Sequence, residues 1–133
     1  MLSQMLEFGD LSLSLNPSSS FGVTGTLALT TPQDLAGMNF LEMDVIADAS
    51  TPIDTPVSIR LNLQSGSSTV PISLYLPLGQ MSTLTYLTIQ IPLIDFGILA
   101  ETNNDLVSIT FEGQIPPLGE TREVRFDNIG FKS

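Results

Sequence analysis

The segment Val57-Ser58-Ile59-Arg60-Leu61-Asn62-Leu63-Gln64 has the pattern that decides the fold. Hydrophobic and polar residues alternate along it one by one. In a β-strand successive side chains point to opposite faces, so the hydrophobic set shares one face and the polar set shares the other. An α-helix would mix the two sets, because its period is 3.6 residues. The segment therefore predicts a strand with one face toward a core and one toward water.

The same alternation recurs along most of the chain. It predicts further strands at residues 11–15, 23–29, 41–47, 70–76, 84–91, 106–111 and 124–131. Segments rich in Pro, Gly, Ser and Asn separate them, at residues 16–20, 65–68, 77–80 and 116–119. Such residues favour turns. Only residues 31–38 and 94–104 leave room for a helical turn. About eight short strands joined by short turns predict a single all-β domain over residues 1–133, a two-sheet antiparallel β-sandwich.

The last predicted strand does not alternate regularly. Val124, Phe126, Ile129 and Phe131 cannot all face the same way in a regular pleat. One extra residue near Asp127 and its neighbour, a β-bulge, would restore a common direction for the four hydrophobic side chains. Such a bulge would also turn the Asp127 carboxylate away from its strand, toward an ion or a neighbouring loop.

The charge and composition exclude several classes of function. Four Lys and Arg residues stand against 14 Asp and Glu residues, for a net charge of −10, which would repel phosphate backbones and anionic lipid surfaces. The chain has no His and no Cys, which removes most hydrolase triads and most zinc sites. No apolar run approaches the roughly 20 residues of a membrane span, and no signal-peptide pattern is visible at the N-terminus. We therefore expect neither a nucleic-acid partner nor a membrane partner.

Three stretches resemble jelly-roll carbohydrate-binding modules and their galactose-binding-like relatives. They are DLAGMNFLEMDV at residues 34–45, TIQIPLIDFG at residues 88–97 and FDNIGF at residues 126–131. Their order and spacing follow the family over about residues 23–131, whereas residues 1–20 match it poorly. The chain departs from the family in having no Trp, with Tyr86 where the family often has one.

The resemblance implies a non-catalytic module that binds a polysaccharide. Because a surface carrying −10 would repel uronates and sulfated glycans, we expect the polysaccharide to be neutral. The resemblance also implies a larger secreted glycan-degrading enzyme as the parent protein, extracellular or at the cell surface, with a catalytic domain as a partner in the same chain. The alternative is a structural or protein-interaction β-sandwich with no sugar ligand.

Sugars are usually held by aromatic rings that stack on them and by planar polar groups that bind their hydroxyls. On the outward faces of the predicted strands, the residues of these types are Arg60, Asn62, Gln64, Tyr75, Tyr86 and Gln90. If their strands are neighbours, the six residues form one binding face. The other interpretation is that they are simply the wet side of an antiparallel sheet.

The resemblance also implies a structural calcium ion. Its ligands would be Asp127 in the closing strand and an acidic residue near the N-terminus, Glu7 or Asp10. Because calcium takes six to eight oxygen ligands, backbone carbonyls and Asn128 would have to contribute. The alternative is that Asp127 only accepts a hydrogen bond from a loop backbone.

Glu42 and Asp44 raise the possibility of an enzyme. They are two residues apart on a predicted strand, so they project from one face, as the two carboxylates of a retaining glycosidase do. The motif of the β-sandwich endoglucanases has a further Glu three residues after the Asp, and that position here is Ala47. We therefore expect the domain not to be an enzyme.

Overall fold

The computed structural model describes residues 5–15, 23–47, 57–98, 105–113 and 122–133, with the backbone alone for residues 5–15, 23, 24 and 122. The strands are β1 (Met5–Leu15), β2 (Val23–Asp34), β3 (Phe40–Ala47), β4 (Val57–Leu63), β5 (Gly66–Pro71), β6 (Leu87–Pro92), β7 (Asp105–Gly113) and β8 (Arg122–Lys132). Three short 3-10 helices accompany them, η1 (Ile72–Tyr75), η2 (Pro77–Gly79) and η3 (Leu93–Phe96). The described ranges contain no α-helix, in agreement with the all-β prediction.

The eight strands form two antiparallel sheets of four strands each. Sheet A has the order β1-β8-β3-β6, and sheet B has the order β2-β7-β4-β5. From β1 to β4 and again from β5 to β8 the chain alternates between the sheets, which is the connectivity of a jelly roll. The predicted two-sheet sandwich is therefore confirmed. Strands β5 and β6 are edge strands of the two sheets.

One hydrophobic core fills the space between the sheets. On β3 the inward residues alternate strictly with the outward ones, which are half-buried. The inward residues of β3 are Leu41, Met43, Val45 and Ala47. Phe111 of sheet B and Phe126 of sheet A meet across the core, with ring centroids 4.6 Å apart and planes tilted by 39°. The alternation seen in the sequence thus corresponds to burial in the fold.

The predicted bulge is present on β8. Along the β3–β8 pair, Glu42 lies opposite Gly130 and Asp44 lies opposite Asp127, so β8 uses one more residue than β3 between these two pairs. Asn128 has a φ of 50°, in the left-handed region that Asn tolerates better than most residues. The extra residue lets Phe126 and Phe131 both face the core, where they are 1% and 0% exposed.

Two predicted strands have different bounds in the structure. The strand predicted at residues 70–76 is displaced, because β5 begins at Gly66, inside the turn predicted at residues 65–68. It ends at Pro71, which has no N–H for a further ladder hydrogen bond, and η1 follows. The strand predicted at residues 84–91 begins only at Leu87. Before it, the backbone N–H groups of Leu84 and Thr85 donate to the Ser82 hydroxyl, each at 3.1 Å. This local turn takes two donors away from the sheet ladder.

The segments expected to hold a helical turn are partly extended. β2 continues through Asp34, so a turn exists only at residues 35–38, closed by a 3.0 Å bond from the Met38 N–H to the Leu35 carbonyl. Helix η3 lies within the second segment and is anchored by Leu93 and Phe96, both buried. The turns predicted at residues 16–20 and 116–119 fall outside the described residues. In the described part of the chain, no helix is long and apolar enough to cross a membrane.

Candidate functional site

The predicted ligand-binding residues do not lie on one face. Arg60 and Asn62 are on β4 of sheet B, whereas Gln90 is on β6 of sheet A and Tyr86 immediately precedes that strand. The outward faces of the two sheets of a sandwich point in opposite directions. The prediction of one continuous face from these residues is therefore wrong.

Gln64 is also displaced from its predicted position. Leu63 pairs with Gly66 across the β4–β5 hairpin, so Gln64 and Ser65 form a two-residue turn. The Gln64 backbone N–H donates to the Asp105 carbonyl at 3.0 Å. Gln64 therefore lies at the end of sheet B and not on its outward face.

Tyr75 belongs to the structure of the sandwich edge, and its predicted place on an outward strand face is wrong. It lies in η1, its ring packs against the core, and its hydroxyl donates to Asp95 Oδ2 at 2.6 Å. Burial, together with the hydrogen bond and the charge of Asp95, raises the pKa of Tyr75 to about 12. The ring is thus held in place by contacts within the chain.

The outward face of sheet B, here called the hydroxyl face, includes Arg60, Asn62, Ser108 and Thr110. Asn62 Nδ2 donates to Ser108 Oγ at 3.0 Å and to Thr110 Oγ1 at 2.9 Å. Arg60 forms an ion pair with Glu112, Nη2 to Oε1, at 2.6 Å. Asn62 and Arg60 therefore both contact neighbours on this face, although Arg60 Nε is buried and has no hydrogen-bond partner among the described residues.

The outward face of sheet A is richer in planar polar groups. It includes two carboxylates of β3, Glu42 and Asp44, with partners on β6 and β8. The partners are Thr88 and Gln90 on β6 and Asn128 and Lys132 on β8. These six residues are here called the carboxylate face.

The first row of the carboxylate face centres on Glu42. By register, Glu42 lies between Gln90 of β6 and Gly130 of β8. Gln90 Nε2 donates to Glu42 Oε2 at 2.6 Å, and Lys132 Nζ lies 3.7 Å from the same oxygen. The side chain of Glu42 is held from both neighbouring strands, with its ionic partner exposed enough to be screened by solvent.

The second row centres on Asp44, which lies between Thr88 and Asp127. Thr88 Oγ1 donates to Asp44 Oδ1 at 2.6 Å, and Asn128 Nδ2 donates to Asp44 Oδ2 at 2.8 Å. The Asn128 backbone N–H donates to Asp127 Oδ1, also at 2.8 Å. Like charges directly opposite each other destabilise a sheet, and here Asn128 offers a donor to each of the two carboxylates.

Tyr86 supplies an aromatic ring next to these rows. It lies two residues before Thr88 and is 44% exposed. Side chains two residues apart in an extended chain point the same way, so Tyr86 continues the outward series of Thr88 and Gln90. Of the predicted ligand residues, Tyr86 and Gln90 are therefore the two that share this face.

Asp127 Oδ1 accepts a hydrogen bond from the backbone N–H of Asn128 within the bulge. Its suggested partners lie on β1, the neighbour of β8, where Glu7 is opposite Gly130 and Asp10 falls at a register shift. The side chains of Glu7 and Asp10 lie outside the described residues. Among the side chains that are described, no group of three or more acidic residues is arranged to hold a metal ion. Calcium binding remains a prediction.

The two carboxylates considered for catalysis do share one face, as their spacing predicted. Position 47 does not join them, because Ala47 is 2% exposed and points into the core. In the sequence, the spacing of Glu42 and Asp44 indicated only a possible catalytic pair. Their alternation with the buried Leu41 and Met43 was the signal that could have identified them as part of a polar binding face.

No protein-family model matches the chain, and no curated protein matches it. Solved structures match it in fold. A crystal structure of a family 30 carbohydrate-binding module superimposes with a TM-score of 0.65 at 18% sequence identity, covering 93% of this chain and 67% of that one. The family 30 module of a cellulosomal cellulase from Clostridium thermocellum gives a TM-score of 0.56 at 14% identity, covering 100% and 98%.

A larger protein contains a similar domain. The β-1,2-glucanase from Parabacteroides distasonis matches with a TM-score of 0.62 at 17% identity, over 97% of this chain but only 22% of the glucanase. At such identities a structural likeness establishes the fold alone. The chain therefore has the jelly-roll β-sandwich fold that family 30 carbohydrate-binding modules also have, as the sequence resemblance predicted.

Proposed function

We propose that this domain binds a neutral polysaccharide on its carboxylate face and catalyses no reaction. The observation that carries the proposal is the pair of cross-strand rows centred on Glu42 and Asp44. A carboxylate has about four acceptor positions, and the hydrogen bonds described above occupy only part of them. Solvent-facing lone pairs held in place by neighbouring side chains are suited to accept hydroxyl groups of a sugar.

The other groups of the face complement the carboxylates. Gln90 and Asn128 are planar amides, and both are exposed. The Tyr86 ring, 44% exposed, is positioned to stack on one sugar ring at the end of the rows. Because one tyrosine replaces the several aromatic rings of a strong sugar site, and hydroxyl contacts compete with water, we expect a Kd of roughly 10 μM to 1 mM.

The structural neighbours support a carbohydrate ligand. Two of those described above are carbohydrate-binding modules, and the third is a β-1,2-glucanase of which this chain spans 22%. The net charge of −10 supports a neutral polysaccharide over an anionic one. By the same likeness, we propose that the domain belongs to a larger secreted glycan-degrading protein whose catalytic domain it accompanies.

Titration calorimetry with soluble glucans, xylans, mannans and galactans tests the proposal. Glu42→Gln and Tyr86→Ala are each expected to weaken binding about tenfold, close to the 1.4 kcal/mol of one charge-assisted hydrogen bond or one stacked ring. Thr69→Ala is a matched control, since Thr69 is exposed on β5 of sheet B, on the opposite side of the sandwich. Its affinity should equal that of the wild type.

Asn62→Ala distinguishes the two faces. A loss of affinity in Asn62→Ala but not in Glu42→Gln would move the binding site to the hydroxyl face. No heat for any polysaccharide at millimolar sugar concentration would reject carbohydrate binding altogether. The structural or protein-interaction alternative would then be the better description.

A further inference from the structure

Strand β6 closes sheet A with one of its sides open. It pairs with β3 on one side, and no described strand pairs with it on the other. Residues 61–94, which include all of β6, contain no Asp, Glu, Lys or Arg. Charged side chains commonly protect edge strands from pairing with other chains, and β6 has none of its own. What this edge can bind therefore depends on which of its backbone groups point outward.

Two hydrogen bonds at the ends of β3 determine the direction of those groups. The Leu93 N–H donates to the Asn39 carbonyl at 2.8 Å, and these two residues continue the β3–β6 register by one pair. At the other end, the Ala47 N–H donates to the Ser82 carbonyl at 2.9 Å. Both bonds lie on the β6 side of β3. Because the residues of an antiparallel strand turn their N–H and C=O groups to alternate sides, the odd-numbered residues of β3 bond to β6.

The same alternation assigns the residues of β6. Ile89 and Ile91 exchange hydrogen bonds with β3, whereas Thr88 and Gln90 turn their N–H and C=O groups away from it. Side chains approach more closely in pairs without backbone hydrogen bonds, which agrees with the 2.6 Å side-chain bonds from Thr88 and Gln90 to β3. Among the described residues, no backbone group outside the ladder bonds to either residue. Each therefore presents one N–H and one C=O to a neighbouring chain.

Pro92 limits the length of this edge. It lies two residues after Gln90, so its nitrogen also faces away from β3, and a proline nitrogen carries no hydrogen. Proline is found in sheets at such edge positions because no ladder donor is lost there. Helix η3 begins at the next residue. The backbone groups of Thr88 and Gln90 are here called the open edge.

The charges around the open edge are mainly acidic. Glu42 and Asp44 lie one strand inward, opposite Gln90 and Thr88, and the exposed Asp95 follows the end of β6. A strand added beside β6 would run roughly 10 Å from β3, twice the usual strand spacing. Its side chains on this side would extend the rows of the carboxylate face. Lys and Arg have stems long enough to reach back toward the carboxylates, whereas acidic side chains there would be repelled.

We propose that the open edge binds an extended segment of a partner protein, with Lys or Arg at every second residue, as a fifth strand of the four-stranded sheet A. In such strand addition the main-chain hydrogen bonds provide affinity and the alternate side chains provide specificity. A second copy of this chain is disfavoured as the occupant, because each copy carries a net charge of −10. The proposal does not depend on sugar binding, and its test contains no sugar.

Amide hydrogen exchange measured by NMR tests the edge directly. In the free protein, the amides of Thr88 and Gln90 should exchange faster than those of Ile89 and Ile91, which bond to β3. A short blocked peptide of alternating Lys and Val should slow exchange at Thr88 and Gln90 about tenfold at a concentration ten times its Kd. With so few ladder bonds, we expect a Kd of roughly 100 μM to 1 mM. Equal protection of all four amides in the free protein, or no response to about 10 mM peptide, would overturn the proposal.

Two further peptides separate strand addition from simple ionic attraction. A Lys and Val peptide methylated at the backbone nitrogens that face β6 keeps its charge but cannot donate to the open edge. A peptide of alternating Glu and Val keeps the backbone donors but reverses the charge. Each should bind about tenfold more weakly or worse. Equal binding of the methylated peptide would show ionic contact without strand addition, and equal binding of the Glu peptide would reject a basic partner.

Gln90→Pro and Gln90→Ala form a matched pair of variants. Both lose the side-chain bond to Glu42, but only Gln90→Pro loses the outward N–H, at the same alternation that Pro92 already occupies. Gln90→Ala should keep its affinity for the Lys and Val peptide within about threefold, and Gln90→Pro should lose about tenfold or more. Equal affinity of two folded variants would place the peptide elsewhere. If Gln90→Pro does not fold, the methylated peptide decides the same question on the wild type.

Discussion

Replacing Tyr75 by Phe removes one hydroxyl and leaves the ring, which makes the contribution of the Tyr75–Asp95 hydrogen bond measurable. The pKa of Tyr75 is raised to about 12, first by burial and then by the hydrogen bond and charge of Asp95. An unfolded tyrosine ionises at about 10. Below pH 10 the hydroxyl is protonated in both states, so its contribution to stability is fully present. Between pH 10 and 12 the unfolded chain ionises first, and the contribution is lost.

The size of the effect follows from the same shift. Two pKa units correspond to at most about 2.7 kcal/mol, and because Tyr75 is only half-buried, solvent screening reduces the expected value to about 1–2 kcal/mol. Tyr75→Phe should therefore be less stable than the wild type by about 1 kcal/mol at pH 7, as expected for one lost hydrogen bond. The difference should approach zero near pH 12, where the wild type has lost the same contribution.

Urea denaturation of both proteins between pH 7 and pH 12 measures this difference. When the two proteins are compared at the same pH, the effects of all the titratable groups that they share cancel from the difference in stability. Asp95→Asn is a second variant, which keeps a hydrogen-bond acceptor but removes the charge. Above pH 10 its free energy of unfolding should fall less than that of the wild type. If the wild type and Tyr75→Phe lose stability in parallel above pH 10, the hydroxyl is not engaged as described and Tyr75 returns to the candidates for ligand binding.

Two further predictions concern the bulge. If Asp127 helps to hold a calcium ion, millimolar calcium should raise the melting temperature by mass action, and a chelator should lower it again. A wild-type melting temperature that responds to neither calcium nor chelator would reject the site. Asn128→Gly keeps the left-handed backbone but loses the donor to Asp44, so its free energy of unfolding should fall by about 1 kcal/mol. Asn128→Ala should lose about 1 kcal/mol more because of strain, and equal urea midpoints for the two variants would argue against strain at this position.

The parts of the fold that could be predicted from sequence are those set by neighbouring residues. The alternation of β3 and the bulge of β8 both follow from the requirement that hydrophobic side chains face one core, and both were confirmed. In each case the deciding physical effect is the burial of apolar area. The residues that determine it lie within a few positions of one another, so the local sequence pattern predicts it.

The pairing of strands could not be predicted in this way. Arg60 and Gln90 occupy identical positions in their local patterns, each polar between two buried aliphatic residues. They lie on opposite sides of the molecule because β4 pairs with β5 and β7 whereas β6 pairs with β3, a choice made by contacts distant in sequence. Tyr75 was misplaced for a different reason, since Val70, Ile72, Leu74 and Leu76 alternate like a strand although Pro71 ends the ladder.

The bulge at Asn128 connects the core to the carboxylate face. Without an extra residue on β8, the side chains after Asp127 would exchange faces, which would bring Lys132 toward the core and turn Ile129 and Phe131 toward solvent. With it, both hydrophobic residues are fully buried, Lys132 lies near Glu42, and the side chain of the residue at the bulge reaches Asp44 across the strand pair. The same residue that allows the last strand to close the core therefore also supplies a donor to the central carboxylate of the proposed binding face, so the geometry of this face depends on the packing beneath it.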